Sequence, residues 1–191
     1  MKVIGITGNY NTTGDATGSY LMADSSVLYT GRPLFIHDFA SGFMAAPSIV
    51  VRMGRLGKCI APKFAHRYWD ALTAGFNVKA CQSDDPRLGA LDRAFDGAAI
   101  VGDWVNASGI EDPLHAVVEV KVDDTVISRS CLADMTWPLD EVMAGASTRC
   151  SIKMGDMLFT GDTAPGFTLA PGMHLTATIG DVQVLDVKVR R

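Results

Sequence analysis

The 191-residue chain is 48% hydrophobic and 20% charged, the balance of a globular protein long enough for one domain with a sizeable core. Its net charge of −4, with no basic run and no interleaving of basic and aromatic residues, excludes a general attraction to nucleic acid. No apolar run reaches the roughly 20 residues of a membrane-spanning helix, and the apolar part of MKVIGITGNY is too short and too Gly-broken for a signal peptide. A cytoplasmic protein with no membrane partner is expected. Cys59, Cys81, Cys131 and Cys150 form no C-x-x-C pair, so reduced thiols are expected and a zinc site is not.

In chain order, Lys2–Thr7 reads as a strand and Gly8–Gly18 as a polar, Gly-rich loop of the kind that borders sites. Ser26–Tyr29 and Leu34–Ile36 read as a hairpin around Thr30-Gly31-Arg32-Pro33, followed by a loop over His37–Ala46. Pro47–Gln82 is the central stretch. Ile49, Val50, Val51 and Met53 predict a strand buried on both faces. Gly54 and Gly57 bracket a turn, and Pro62 opens a predicted helix whose apolar face is Phe64, Tyr68, Ala71 and Leu72. Gly75 is expected to end that helix, and Phe76–Ala80 to run extended.

Beyond it, Ser83–Asp92 reads as a surface loop and Ala98–Val101 as a strand. His115–Val122 and Thr125–Ser130 flank the turn Asp123-Asp124. Pro138–Ala146 is a predicted helix with Thr136 as its cap and Leu139, Val142, Met143 and Ala146 on its apolar stripe. A strand at Met157–Thr160 and a hairpin of His174–Ile179 with Val182–Val189 close the chain. With strands far outnumbering helices, the fold class is α+β, predominantly β, in a single domain over residues 1–191.

The sequence holds no Walker A motif, no G-x-G-x-x-G after a strand, no H-E-x-x-H and no G-x-S-x-G. Gly102-Asp103-Trp104 and Thr160-Gly161-Asp162-Thr163 are the most site-like loops, and each taken alone reads first as a turn. His37 beside Asp38 is a candidate base, and Asp84-Asp85 a candidate cation site or a solvated turn. His66 is expected to be a surface or capping group. Arg52, Arg55, Lys58, Lys63 and Arg67 form a local basic cluster, read as one solvated face.

Four stretches resemble the C-terminal catalytic domain of the fumarylacetoacetate hydrolase family: Val50–Gly75, Ala94–Asp103 (AFDGAAIVGD), Ala133–Glu141 (ADMTWPLDE) and Gly155–Gly172 (GDMLFTGDTAPGFTLAPG). The resemblance implies a mixed β-sandwich roll with a few short helices, and a homodimer. It also implies Mg²⁺- or Mn²⁺-dependent C–C cleavage, decarboxylation or isomerisation of acylpyruvate-type keto acids. In the family an E-x-E pair and a later Asp hold the cation, and a hard dication needs such carboxylates to offset its charge.

Here those three positions fall on Ala46, Ser48 and Asn77, and the Arg and last Asp of the family's D-x-T-A-R-D segment fall on Cys81 and Gln82. The Lys before the F-D block is Arg93, T-G-T-P has become Thr160-Gly161-Asp162-Thr163, and Thr12-Thr13 stand near the place of a frequent His. The resemblance thus implies a degenerate member with no metal expected and no intact catalytic set, acting as a binding or partner subunit. Its candidate pocket residues are Thr13, Arg93, Thr160 and Asp162. Two alternatives stand beside it. One is an active hydrolase, decarboxylase or isomerase that holds Mg²⁺ or Mn²⁺ with relocated acids from among Asp38, Asp84, Asp85, Asp96, Asp103 and Asp162. The other is a metal-free site in which Lys79, Arg93 and Thr163 bind a keto-acid carboxylate.

Overall fold

The computed structural model describes residues 1–10, 18–83 and 85–191. Its strands are β1 (Lys2–Thr7), β2 (Gly18–Ala23), β3 (Val27–Tyr29), β4 (Leu34–Phe35), β5 (Ala40–Met53), β6 (Trp69–Ser83), β7 (Ala99–Val101), β8 (Val105–Asn106), β9 (Val118–Val122) and β10 (Thr125–Ser130). The helix α1 (Leu139–Arg149) follows, then β11 (Met157–Asp162), β12 (Phe167–Thr168), β13 (His174–Ile179) and β14 (Val182–Arg190). Among the described residues no helix is long and apolar enough to cross a membrane.

The larger sheet has the order β2-β1-β11-β5-β6-β7-β3, with β12 on β5 and β8 on β6. A flat path of seven strands would hold its outer strands about 29 Å apart. Yet β2 ends at Ala23 and β3 begins at Val27, a connection that spans at most about 14 Å. The sheet therefore curls until its two ends meet, forming a roll. Strand alternation then sorts residues to the inside or the outside. Val3, Met22, Val50, Ala99, Val101, Met157 and Phe159 fill the interior. Ile49, Val51, Leu72, Phe76 and Leu158 face outward, where they share a core with Val118, Val120, Leu175, Ala177 and Val187 of the second sheet, β10-β9-β13-β14-β4.

The structure departs from the sequence expectation in the central stretch. The helix expected after Pro62 is only a 3₁₀ turn, Pro62–Arg67, and β6 begins at Trp69. Leu72, Ala74, Phe76, Val78 and Ala80 alternate into the outer core, so the period-2 pattern of a long ladder with β5 overrides the short helical pattern. Gly75 ends nothing. It lies mid-strand opposite Ser48, where a Cβ would stand 2.5 Å from the Ile100 carbonyl oxygen and 2.7 Å from Val50. Likewise Ser26–Tyr29 and Leu34–Ile36 make no hairpin: β3 pairs with β7 and β4 with β14, in different sheets. The segment read as a loop over His37–Ala46 is strand from Ala40 onward. Thr136 does not cap α1, whose N-cap is Pro138 with no side-chain bond.

Gly75→Ala should lower stability by about 2 kcal/mol or more, because the new methyl meets backbone that cannot step aside. Urea denaturation measures it, and an unchanged midpoint would show that β6 and β7 are less closely apposed than described.

Candidate functional site at the mouth of the roll

Because β5 lies between β6 and β11, its residues 46 and 48 sit at the centre of one end of the roll. Ala46 pairs with Asn77 on β6, and Ser48 pairs with Asp162 on β11. The register of β11 against β5 shifts between Phe159 and Asp162. Without that bulge residue 161 would face Ser48, and the extra residue turns the Asp162 side chain inward instead. Adjacent strands are about 4.8 Å apart, so groups on β6 and β11 stand about 10 Å apart across β5. Only small residues on β5 let side chains join over that gap. They do join: Asn77 Nδ2 donates to Asp162 Oδ1 at 2.6 Å, and to the Ala46 carbonyl at 3.3 Å. Ala46, Ser48, Asn77 and Asp162 are all buried.

On its other side the Asn77 amide oxygen accepts a hydrogen bond from Arg93 Nη1. Asn77 thus links a guanidinium to a carboxylate, and the local charges compensate. The Arg93 guanidinium also lies 4.3 Å from the centre of the Tyr20 ring, a cation–π contact. Tyr20 reaches this place because its cross-strand partner on β1 is Gly5. A Cβ on residue 5 would stand 2.0–2.4 Å from the phenol atoms. The Tyr20 hydroxyl is buried and has no hydrogen-bond partner among the described residues. Burial pushes its pKa up, the Arg93 charge draws it down and the Asp162 charge raises it further.

The other expected site residues lie elsewhere. The Thr160 hydroxyl bonds Tyr10 Oη and donates to the Ile49 carbonyl, both at 2.9 Å. Thr163 Oγ1 is bound to Ser128 Oγ at 2.8 Å and donates to Pro47 O. Both threonines are buried structural links. Lys79, two residues beyond Asn77 on the same face of β6, is exposed at the rim. Thr13 and Asp84 lie outside the described residues. His37 Nε2 meets the Asp96 carbonyl at 3.0 Å, and its ring packs among Phe39, Phe43 and Phe95, so it does not use Asp38 as an orienting partner. Tyr20 and Gly5 were not anticipated. A glycine in a strand signals close approach of some group, but which group follows only from the register.

A divalent cation needs several anionic oxygen donors converging on one point. The three positions that the resemblance matches to the family's ligands, Ala46, Ser48 and Asn77, offer a methyl, a hydroxyl that donates to Ile49 O at 3.2 Å, and an amide whose two polar atoms are both engaged. Among the described residues the carboxylate at this mouth is Asp162, which accepts from that amide, and a guanidinium stands beside it. Of the other candidate acids, Asp38, Asp96 and Asp103 are exposed and Asp85 is bonded to Arg87. Among the described residues no three His, Cys, Asp or Glu side chains group closely enough to hold a metal ion. The donor set does not fit a dication.

The sequence matches the family described as fumarylacetoacetate (FAA) hydrolase C-terminal over residues 10–190. The chain belongs to that family. No curated protein sequence matches it. Similar solved structures include a fumarylpyruvate hydrolase from Pseudomonas aeruginosa in complex with Mn²⁺ and pyruvate, at 20% identity and TM-score 0.84, covering 100% of this chain and 89% of that one. A 2-hydroxyhepta-2,4-diene-1,7-dioate isomerase from Mycobacterium marinum aligns at 20% identity and TM-score 0.84 over 100% and 74% of the two chains. A maleylpyruvate hydrolase from Sphingobium sp. SYK-6 aligns at 17% identity and TM-score 0.85 over 99% and 70%. The fold is therefore the family's mixed β-roll, as the resemblance implied.

Tyr20→Phe should leave stability unchanged or raise it by up to about 1 kcal/mol, since it removes a buried hydroxyl with no partner. A thermal melt checks this, and a clear loss would mean that the hydroxyl is satisfied by bound water. Asn77→Leu should cost about 1–3 kcal/mol by stranding Asp162 and Arg93, with Asp162→Asn in the same chain recovering part of the loss.

Proposed function

We propose that this chain keeps the family's roll without its divalent-cation centre, and that it serves as a binding or partner subunit without metal-assisted cleavage of acylpyruvates. The observation that carries this reading is the Asn77 amide bridging Arg93 to Asp162 across Ala46 and Ser48. Replacing three carboxylates singly would leave unmatched charge. Here the replacements form one set in which each polar group is matched by another. A homodimer, implied by the resemblance, belongs to the same proposal and is checked by light scattering.

A second reading is favoured by the Mn²⁺ and pyruvate held by the Pseudomonas aeruginosa neighbour and by the acid Asp162 in this mouth. It makes the chain a hydrolase or isomerase of keto acids with relocated ligands. Calorimetric titration of Mg²⁺ and Mn²⁺ into chelator-stripped protein, alone and with oxaloacetate, separates the two. We expect no saturable heat and no turnover; saturable binding would overturn the first reading in favour of the second. In the variant A46E/S48E/N77D, Mg²⁺ affinity should appear, because three carboxylates then converge on one end of the roll.

A further inference from the structure

A second surface lies at the C-terminal end of β5. The loop after β5 and the loop from α1 to β11 are bridged by two backbone bonds, Gly57 N to Ile152 O at 2.9 Å and Ile152 N to Gly57 O at 2.8 Å. Cys59 N donates to Ser147 O at 3.1 Å and Ile60 N to Ser147 Oγ at 2.8 Å, which fixes the last turn of α1 to the same wall. Residues 54–69 and 142–155 contain no acid. They carry Arg55, Lys58, Lys63, Arg67, Arg149 and Lys153, six of the chain's 17 basic side chains, and leave eleven for the remainder with all 21 acids. All six are exposed, and none is in an ion pair among the described residues. Lys58 and Arg149 reach only backbone carbonyls, while Lys63 and Arg67 flank the Phe64 ring at 5.0 and 4.8 Å.

Met154, 76% exposed, and Leu56, 71% exposed, are the most exposed large apolar side chains among the described residues. Leu56 directly precedes Gly57 and Met154 follows Ile152 by two residues, so both stand beside the bridge, among the cations. They project, and they line none of the grooves of about 310, 440 and 700 Å³. We propose that this surface docks on an anionic lipid bilayer, with Leu56 and Met154 entering the boundary between headgroups and acyl chains and the six cations meeting lipid phosphates and carboxylates.

Three considerations select this occupant. A protein partner that took two projecting side chains would need matching pockets, whereas a bilayer accepts them without any. Diffuse negative charge suits cations spread over two loops and a turn, with no preformed anion cradle. Single-stranded nucleic acid is held on stacking faces, and Leu56 and Met154 offer none while Phe64 is already flanked by Lys63 and Arg67. The expectation of no membrane partner drew on apolar run length, which bears on spanning and does not report where surface charge is placed.

Flotation of the full chain with vesicles tests the proposal. Vesicles of phosphatidylcholine with about 30 mol% phosphatidylserine should bind it at low salt and release it at about 0.5 M salt, and pure phosphatidylcholine should not bind it. The variant R55Q/K58Q/K153Q should lose at least about tenfold in binding. The variant L56S/M154S should also weaken binding several-fold while melting like the parent, since all five positions are exposed. Absence of binding at low salt would overturn the proposal, as would equal binding to neutral vesicles. Binding of DNA or polyglutamate as tight as that of vesicles, and unaffected by L56S/M154S, would also overturn it by showing that the surface reads charge alone.

Discussion

The ladder between β5 and β6 is the constraint on which the rest of the structure depends. It runs from Ala40 opposite Ser83 to Met53 opposite Trp69 and supplies side chains to both cores. Its register decides that Asn77 lies beside Ala46 and that Gly75 lies beside Ser48. A slip of one residue would turn Asn77 outward into the apolar core and bring Phe76 inward. The interior is too narrow for that exchange, as the close packing around Gly75 shows. One ladder thus holds the core and the mouth of the roll in a single arrangement.

The chemistry of the mouth follows from what that arrangement leaves between β6 and β11. A carboxylate alone at the buried Asp162 position would pay heavily for lost hydration. The Asn77 amide solves this in both directions: it donates to Asp162 and accepts from Arg93, so the negative and positive groups are coupled through one neutral side chain. The coupling requires small residues at 46 and 48, because anything longer would fill the space that the amide crosses. Ala46, Ser48, Asn77 and Asp162 therefore form one arrangement that answers one electrostatic problem.

Much of this was legible in the sequence. The strands of alternating or fully apolar pattern were visible, as was the closing hairpin, and counting from Val50 and Gly75 picked out Ala46, Ser48 and Asn77, which the register places side by side. Three things were not legible, each for a physical reason. Trp69–Ser83 was read partly as helix because Phe64, Tyr68, Ala71 and Leu72 fit a helical period by chance of spacing, while the pairing that makes it a strand comes from residues 16 or more positions away. Thr160 and Thr163 looked like pocket residues, but a hydroxyl on a strand gives no sign of which face it occupies until the bulge is placed. Tyr20 gave no local signal at all, since its position depends on the β1–β2 register and on the absence of a side chain at Gly5.

The middle of β5 and its C-terminal end present opposite electrostatic conditions. At the mouth, Arg93 and Asp162 compensate each other through Asn77. At Gly54 and beyond, six exposed cations have no carboxylate partner among the described residues. Six residues of extended strand separate Ser48 from Gly54, a distance of about 20 Å. That is more than twice the screening length at physiological salt, about 8 Å. Coupling through the solvent is therefore weak, and the mouth adds little net charge to the basic surface because Arg93 and Asp162 compensate each other. The rigid ladder sets their relative orientation but transmits no charge between them, so a change at one is expected to leave the other as it was.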